Sequence, residues 1–189
     1  MQRRLLPVLV AALAAVVVAL ALDSRGGGEG GGSSNGGSGT PARAHVARVI
    51  DGDTIAVSID GDAEGDERSV RLLGIDTPET HKPGTPIECG GPEASAYMER
   101  LAPPGTRVAL ERDPSQRSVD RYGRMLAYVR LPDGRLAEEA ELAAGWATVY
   151  VFAGRPVARD PAFRRAQAAA RAANRGVWGR CGGRFHFAG

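Results

Sequence analysis

Two aspartates flank a glycine in Val49-Ile50-Asp51-Gly52-Asp53-Thr54, and a second acidic pair, Asp76 and Glu79, follows Arg71-Leu72-Leu73-Gly74-Ile75. Asp53 and Asp76 each sit where a strand-like stretch meets a turn, so adjacent strands can bring both carboxylates around one cation. Hard oxygen ligands select a hard ion, Ca2+ or Mg2+, with backbone carbonyls and water completing its shell. Aspartate also suits turns, and in isolation Asp51-Gly52-Asp53 reads more readily as a turn, with Asp76 capping another. The arginines change that balance. Arg71 leads into Asp76, Arg124 closes Asp120-Arg121-Tyr122-Gly123-Arg124 at the head of another strand, and Glu79 lies just past Asp76. Phosphodiester hydrolysis needs a cation to polarise the phosphate, guanidinium forks to hold its oxygens, and a carboxylate to orient or deprotonate water.

Such groups need strands to carry them. Ile55, Val57 and Ile59 alternate with Thr54, Ala56 and Ser58, and Val70, Leu72 and Leu73 follow a Gly- and Asp-rich hairpin, Asp60 to Ser69. Further strands are predicted over Thr106 to Arg112 and Arg124 to Leu131, about five in all. Helices are predicted over Gly91 to Ala102, with Pro92 and Glu93 in the first turn, and over Arg135 to Gly145, stopped by Gly145. A third runs from Asp160 to Gly176, with Asp160 as cap, Pro161 next and Gly176 as stop. The order suits an α+β domain built on a small five-stranded, OB-fold-like barrel with helices to one side. Strict alternation would aim Arg71 and Asp76 at opposite sheet faces, so a bulge is expected between them at Gly74.

The chain of 189 residues, 43% of them hydrophobic, has room for one such domain. Its net charge of +2 hides an asymmetry: Asp51 to Glu79 holds nine acids against two arginines, whereas Arg155 to Gly189 holds eight arginines against one acid. Arg3 and Arg4 precede an uncharged run, Leu5 to Leu22, that ends in Ala19-Leu20-Ala21. Residues 1–22 therefore read as a signal peptide or an N-terminal membrane anchor, and both place the domain outside the cytoplasm. Residues 23–41 form a Gly/Ser-rich linker, residues 42–182 the folded domain and residues 183–189 a tail. In an exported chain the even cysteine count, Cys89 and Cys181, favours a disulfide. With His45, His81 and His186 scattered, the chain offers no zinc cluster.

Val49 to Thr54, Arg71 to Thr80, Gly91 to Ala96 and Asp120 to Val129, in this order, resemble the staphylococcal nuclease (thermonuclease) family. The resemblance covers about seven-tenths of the chain, Val46 to Trp178. It implies an OB-fold barrel with three helices and a Ca2+-dependent nuclease that cuts DNA and RNA to 3′-phosphorylated products. By position Arg71, Glu79 and Arg124 match the family's catalytic trio. Asp53 and Asp76 match its carboxylate calcium ligands, Thr77 the ligand acting through its backbone carbonyl, and Asp51 a supporting neighbour. Tyr122 matches a nucleotide-contacting tyrosine; with one residue deleted just before them, Tyr150 and Phe152 match an aromatic pair against the base, Phe152 reading equally as a core residue, and Arg121 stands where the family has a lysine beside the phosphate. The expected substrate is single-stranded or frayed DNA, or RNA; no obligate protein partner is implied, and a monomer is expected. Cys89 and Cys181 resemble a pair in other exported relatives, where a bridge would tie the loop after Glu79 to the C-terminus. The acidic hairpin from Asp60 to Ser69 is longer than the family pattern and would repel a polyanion if it overhung the groove. A catalytically silent nucleic-acid-binding domain and a calcium-stabilised surface domain are the competing readings, and the presence of all three charged residues favours the enzyme.

Overall fold

Apolar alternation from Ala42 onward closes into a barrel. The computed structural model describes residues 40–80, 84 and 86–184. The expected leader, most of the Gly/Ser linker, nearly all of the tail, His81 and His186 lie outside the described residues. Strands β1 (Ala42–Asp51), β2 (Thr54–Ile59) and β3 (Arg68–Leu72) form a meander, followed by a short β4 (Ile75–Asp76) and helix α1 (Gly91–Leu101). Then come β5 (Arg107–Glu111), β6 (Met125–Arg130), α2 (Ala137–Ala144), β7 (Thr148–Val149), α3 (Asp160–Ala172) and the single turn α4 (Val177–Arg180). The barrel order is β1-β2-β3-β6-β5, with β5 closing onto β1. This is the α+β, OB-like architecture expected, with α4 and a β4–β7 pair added. Val46, Ile55, Val57, Val70, Leu72 and Val129 fill the interior, and Met98, Leu142 and Phe163 bring the three longer helices onto it. The ring of Phe163 meets that of Tyr128 edge-on at 6.1 Å.

Three local expectations are corrected. First, β2 does not alternate between core and solvent at its start, because Thr54 and Ala56 are as buried as Ile55 and Val57. Ala56 is small and lies between Arg48 and Ser69 across the ladder. Ahead of Thr54, Gly52 is pressed so close to α1 that a Cβ there would sit 2.9 Å from the Cβ of Ala94. Second, no bulge forms at Gly74. The strand stops at Leu72, the chain turns through Gly74 at φ +76°, and Ile75 and Asp76 pair with β7 in a separate two-stranded sheet. Changing sheets redirects Asp76 as a bulge would have, and only glycine fits, since a Cβ would lie 2.7 Å from Val157. Third, Asp160 does not cap α3. Arg159 holds the cap position, its carbonyl accepting from Ala162 and Phe163, while Asp160 accepts from Arg164 Nε at 2.7 Å. The helix also ends at Ala172, ahead of Gly176, which instead opens α4.

Cys89 and Cys181 are bonded, with Cα atoms 6.0 Å apart across a sequence separation of 92. The bridge joins the segment before α1 to the end of α4. Helix α2 contributes two buried carboxyls. Glu138 accepts the Val129 N–H at 3.0 Å, and burial pushes it up to about 8. Glu141 is fully buried, and neither of its oxygens has a hydrogen-bond partner among the described residues. Burial holds it well above its ordinary value of 4.5; the charge of Asp53 adds to the shift and Arg100 opposes it. With the folded value raised, this group's contribution is fully present below 4.5 and is lost as pH climbs toward the raised value. Glu141→Leu should therefore melt above the wild type by about 4 °C or more near pH 8, and by less near pH 5. Thermal denaturation at both pH values checks this, and an unchanged or lower melting temperature near pH 8 would refute it.

Candidate functional site

The turn between β1 and β2 is an Asx turn: Asp51 Oδ1 accepts the Asp53 N–H at 3.0 Å. This leaves the Asp53 carboxylate aimed inward, accepting the Thr54 hydroxyl and the Thr77 N–H, each at 3.0 Å. Arg71 lies opposite Thr54 across the β2–β3 ladder, which puts its guanidinium beside Asp53. Its Nη1 donates to the carbonyls of Leu72 and Ile75, both at 2.8 Å, and those carbonyls bracket the turn at Gly74. Its Nη2 faces two acids, 3.1 Å from Asp53 and 2.8 Å from Asp76. The Arg71 side chain is 13% exposed and that of Asp53 8%, so their pairing is largely shielded from water, whereas the Asp76 side chain is 31% exposed.

Charge is unevenly balanced here. Three carboxylates, Asp51, Asp53 and Asp76, share one guanidinium. Burial, and then the charge of Asp53, push Asp51 up to about 7, with Arg71 only partly offsetting them. Burial works against the charge on Arg71, yet Asp53, Asp76 and Asp51 outweigh it and hold the guanidinium above its usual range. Among the described residues, no group of three or more His, Cys, Asp or Glu is assembled as a metal site. What converges is two carboxylates, each with an oxygen within 3.1 Å of one guanidinium nitrogen. That donor set fits a hard cation completed by backbone oxygen and water, and the excess of acids over bases favours it. Buried Thr77 stands beside it.

Glu79 and Arg124 are each held by an acid that the sequence pattern did not single out. The Glu79 N–H donates to Glu88 Oε2 at 2.8 Å, and the Glu79 carbonyl accepts the Glu88 N–H at 2.9 Å. Glu88 is buried, which nothing in its sequence neighbourhood announces. Arg124 donates from Nε to Asp120 Oδ2 at 2.7 Å and from its backbone to Oδ1 at 3.0 Å; the Tyr122 N–H shares Oδ1 at 2.8 Å. Burial resists the charge on Asp120, but these bonds, led by that from Arg124, hold it below the usual carboxylate range. An acid heading a short turn was the available signal. Strand β6 runs parallel to β3 with Leu126 opposite Arg71, so Arg124 lies two residues before Arg71's partner.

The aromatic candidates are all exposed: Tyr122 67%, Tyr150 43% and Phe152 62%. The core reading of Phe152 therefore fails. Tyr150 hangs from the same turn as Arg71, its N–H donating to the Gly74 carbonyl at 2.9 Å. Tyr122 lies between two arginines, with Arg121 4.7 Å and Arg124 5.4 Å from its ring centre. Arg121 also donates to the Tyr122 hydroxyl. Phe152 turns back on Arg155, beyond the turn that anchors Tyr150.

The family model for staphylococcal nuclease homologues matches residues 69–180. The chain is 49% identical to a thermonuclease of Staphylococcus hyicus over 86 residues, which are 46% of this chain and 47% of the relative. It is 38% identical to the endonuclease YncB of Bacillus subtilis over 136 residues, 71% of this chain and 61% of the relative. It is 37% identical over 136 residues to the SPbeta prophage-derived endonuclease YokF of Bacillus subtilis, covering 71% of this chain and 43% of the relative. The chain thus spans from under half to about three fifths of the length of these relatives.

Arg71 occupies the point where the two carboxylates converge, so it should compete with an added cation. Arg71→Ala is expected to lower the melting temperature in chelator, a loss of about 3 kcal/mol for an uncompensated, part-buried acid pair. It should also gain more from added Ca2+ than the wild type does. Melting curves with Ca2+ and with chelator check this, and equal gains for the two proteins would exclude competition.

Proposed function

The chain belongs to the staphylococcal nuclease homologue family, and on that premise we propose that it is a Ca2+-dependent nuclease hydrolysing DNA and RNA to 3′-phosphorylated products. The observation that carries this reading is the two-acid pocket of Asp53 and Asp76 with the fork of Arg71 already turned onto it. Asp53, Asp76 and the Thr77 carbonyl would hold Ca2+, which when bound supplies positive charge to polarise a phosphate oxygen.

Arg71 then has its fork released from the carboxylates to grip phosphate oxygens as negative charge builds on them. Arg124, held in place by Asp120, offers the second guanidinium. An arginine does not readily surrender a proton, so its part is charge stabilisation. Glu79 orients or deprotonates the attacking water, and Glu88 fixes the backbone that carries it. Tyr122, Tyr150 and Phe152 present exposed rings on which unpaired bases can stack, which suits single-stranded or frayed substrate. Arg121, placed on Tyr122, adds charge near the strand. The protein would act as a monomer without an obligate protein partner. The pattern of residues 1–22 supports work outside the cytoplasm, either secreted or tethered to the outer face of the membrane.

A binding domain without turnover is the second reading, and the retention of Arg71, Glu79 and Arg124 argues against it. Incubating the full chain with single-stranded DNA in Ca2+, Mg2+ or chelator, with end-group analysis, tests the proposal. Cleavage should require Ca2+ and leave 3′-phosphates, and Glu79→Gln or Arg71→Ala should slow it on the order of a hundredfold, ~3 kcal/mol of barrier. Turnover unaffected by both substitutions would show that the site lies elsewhere.

A further inference from the structure

The basic end of the chain forms a groove that the proposed reaction does not use. Arg171, Asn174, Trp178, Gly182 and Gly183 line an open cavity of about 420 Å³ between the end of α3 and the segment after α4. The guanidinium of Arg171 lies 5.5 Å from the Trp178 ring, which holds it against the groove wall and reduces the entropy lost when it meets a ligand. Gly183 passes so close to the same ring that a Cβ would sit 2.9 Å from it, so the opposite wall is backbone. Arg184 follows directly. Of the arginines on this part of the chain, Arg164 is paired with Asp160 and Arg180 with Glu93. Arg171 and Arg184 have no carboxylate partner among the described residues, and both are exposed. With Arg171 and Gly183 packed against the Trp178 ring, the groove offers positive charge and the Asn174 amide, the chemistry to hold a phosphate backbone.

Its position says which polyanion. Gly182 is bonded to Cys181, Cys181 is bridged to Cys89 with Cα atoms 6.0 Å apart, and Cys89 follows Glu88, which holds Glu79. Covalent geometry therefore keeps the Cα of Gly182 within roughly 14 Å of that of Glu88. A strand a few nucleotides longer than the scissile step reaches both. We propose that this groove is a second binding site for single-stranded nucleic acid, holding the substrate at a distance from the bond to be cut. The proposal rests on reading the Glu79 site as a nuclease.

Binding of fluorescent oligothymidylates of about 20 and about 4 nucleotides to the full chain, in chelator and across a salt series, tests it by anisotropy. The double variant Arg171→Gln, Arg184→Gln should bind the longer strand about tenfold more weakly near 0.1 M salt. The slope of log affinity against log salt should fall by about 1.4, the share of two phosphate contacts on a single strand. The shorter strand should lose less than twofold, and Arg171→Lys should keep the slope of the wild type. Unchanged melting temperature confirms that the double variant is folded. Any of three results would overturn the proposal: no binding of the longer strand by the wild type, equal affinity and slope in the double variant, or equal losses on both lengths. Because chelator prevents cleavage in every arm, failure of Glu79 to act would show only in the cleavage assay.

Discussion

A single guanidinium nitrogen, Nη2 of Arg71, lies 3.1 Å from Asp53 and 2.8 Å from Asp76. Those two acids sit on segments that the barrel alone would not bring together: one ends the β1–β2 turn and the other belongs to β4, outside the barrel sheet. The companion nitrogen Nη1 fastens the carbonyls of Leu72 and Ile75 on either side of the turn at Gly74. Cutting this fork would leave like charges facing one another in a place with little water to screen them. The architecture follows from that need. Gly52 lets the acidic turn press onto α1, and Gly74 lets the chain leave β3 at the angle that returns Asp76 to the fork.

The same arrangement sets stability against chemistry. Asp51 is pushed to about 7 by burial beside Asp53, and buried Glu141 is held above its ordinary range partly by the charge of Asp53. A domain selected for stability alone would not concentrate acids around one arginine. It makes sense if a cation and a phosphate complete the charge balance, with Arg71 shifting from the acids to the phosphate. The acids that fix Glu79 and Arg124 serve the same end, since a group held by Glu88 or Asp120 loses less freedom when it meets substrate. The Cys89–Cys181 bridge then joins the segment carrying Glu88 to the basic C-terminal end.

The barrel was legible because its strands carry local signals. Val70 and Leu72 fall on alternating positions of β3, a turn rich in Gly and Asp precedes them, and Gly145 stops α2 where the pattern says it should. The motif spacing also points to Asp53, Arg71 and Asp76 as one group, and the two ion pairs of Arg71 join them. What was not legible depends on distant partners. The sheet change at Gly74 is decided by Thr148 and Val149, far along the chain, and an isolated strand pattern cannot report it. Glu141 reads as a solvent-facing helical acid until α1 and the barrel are packed around it. Glu88 looks like one more loop acid until its carboxylate is found on the Glu79 amide. Asp160 reads as a cap, but the carbonyl of Arg159 starts the helix one residue earlier.

The proposed reaction requires Arg71 to stand in the place of a cation and to yield it. A crystal structure of the full chain grown with Ca2+ would test this most directly. The expected result is an ion between Asp53 and Asp76, with Nη2 of Arg71 withdrawn from both carboxylates and free to meet a phosphate. An Arg71 that still bridges both acids, with Ca2+ bound elsewhere or not at all, would contradict it.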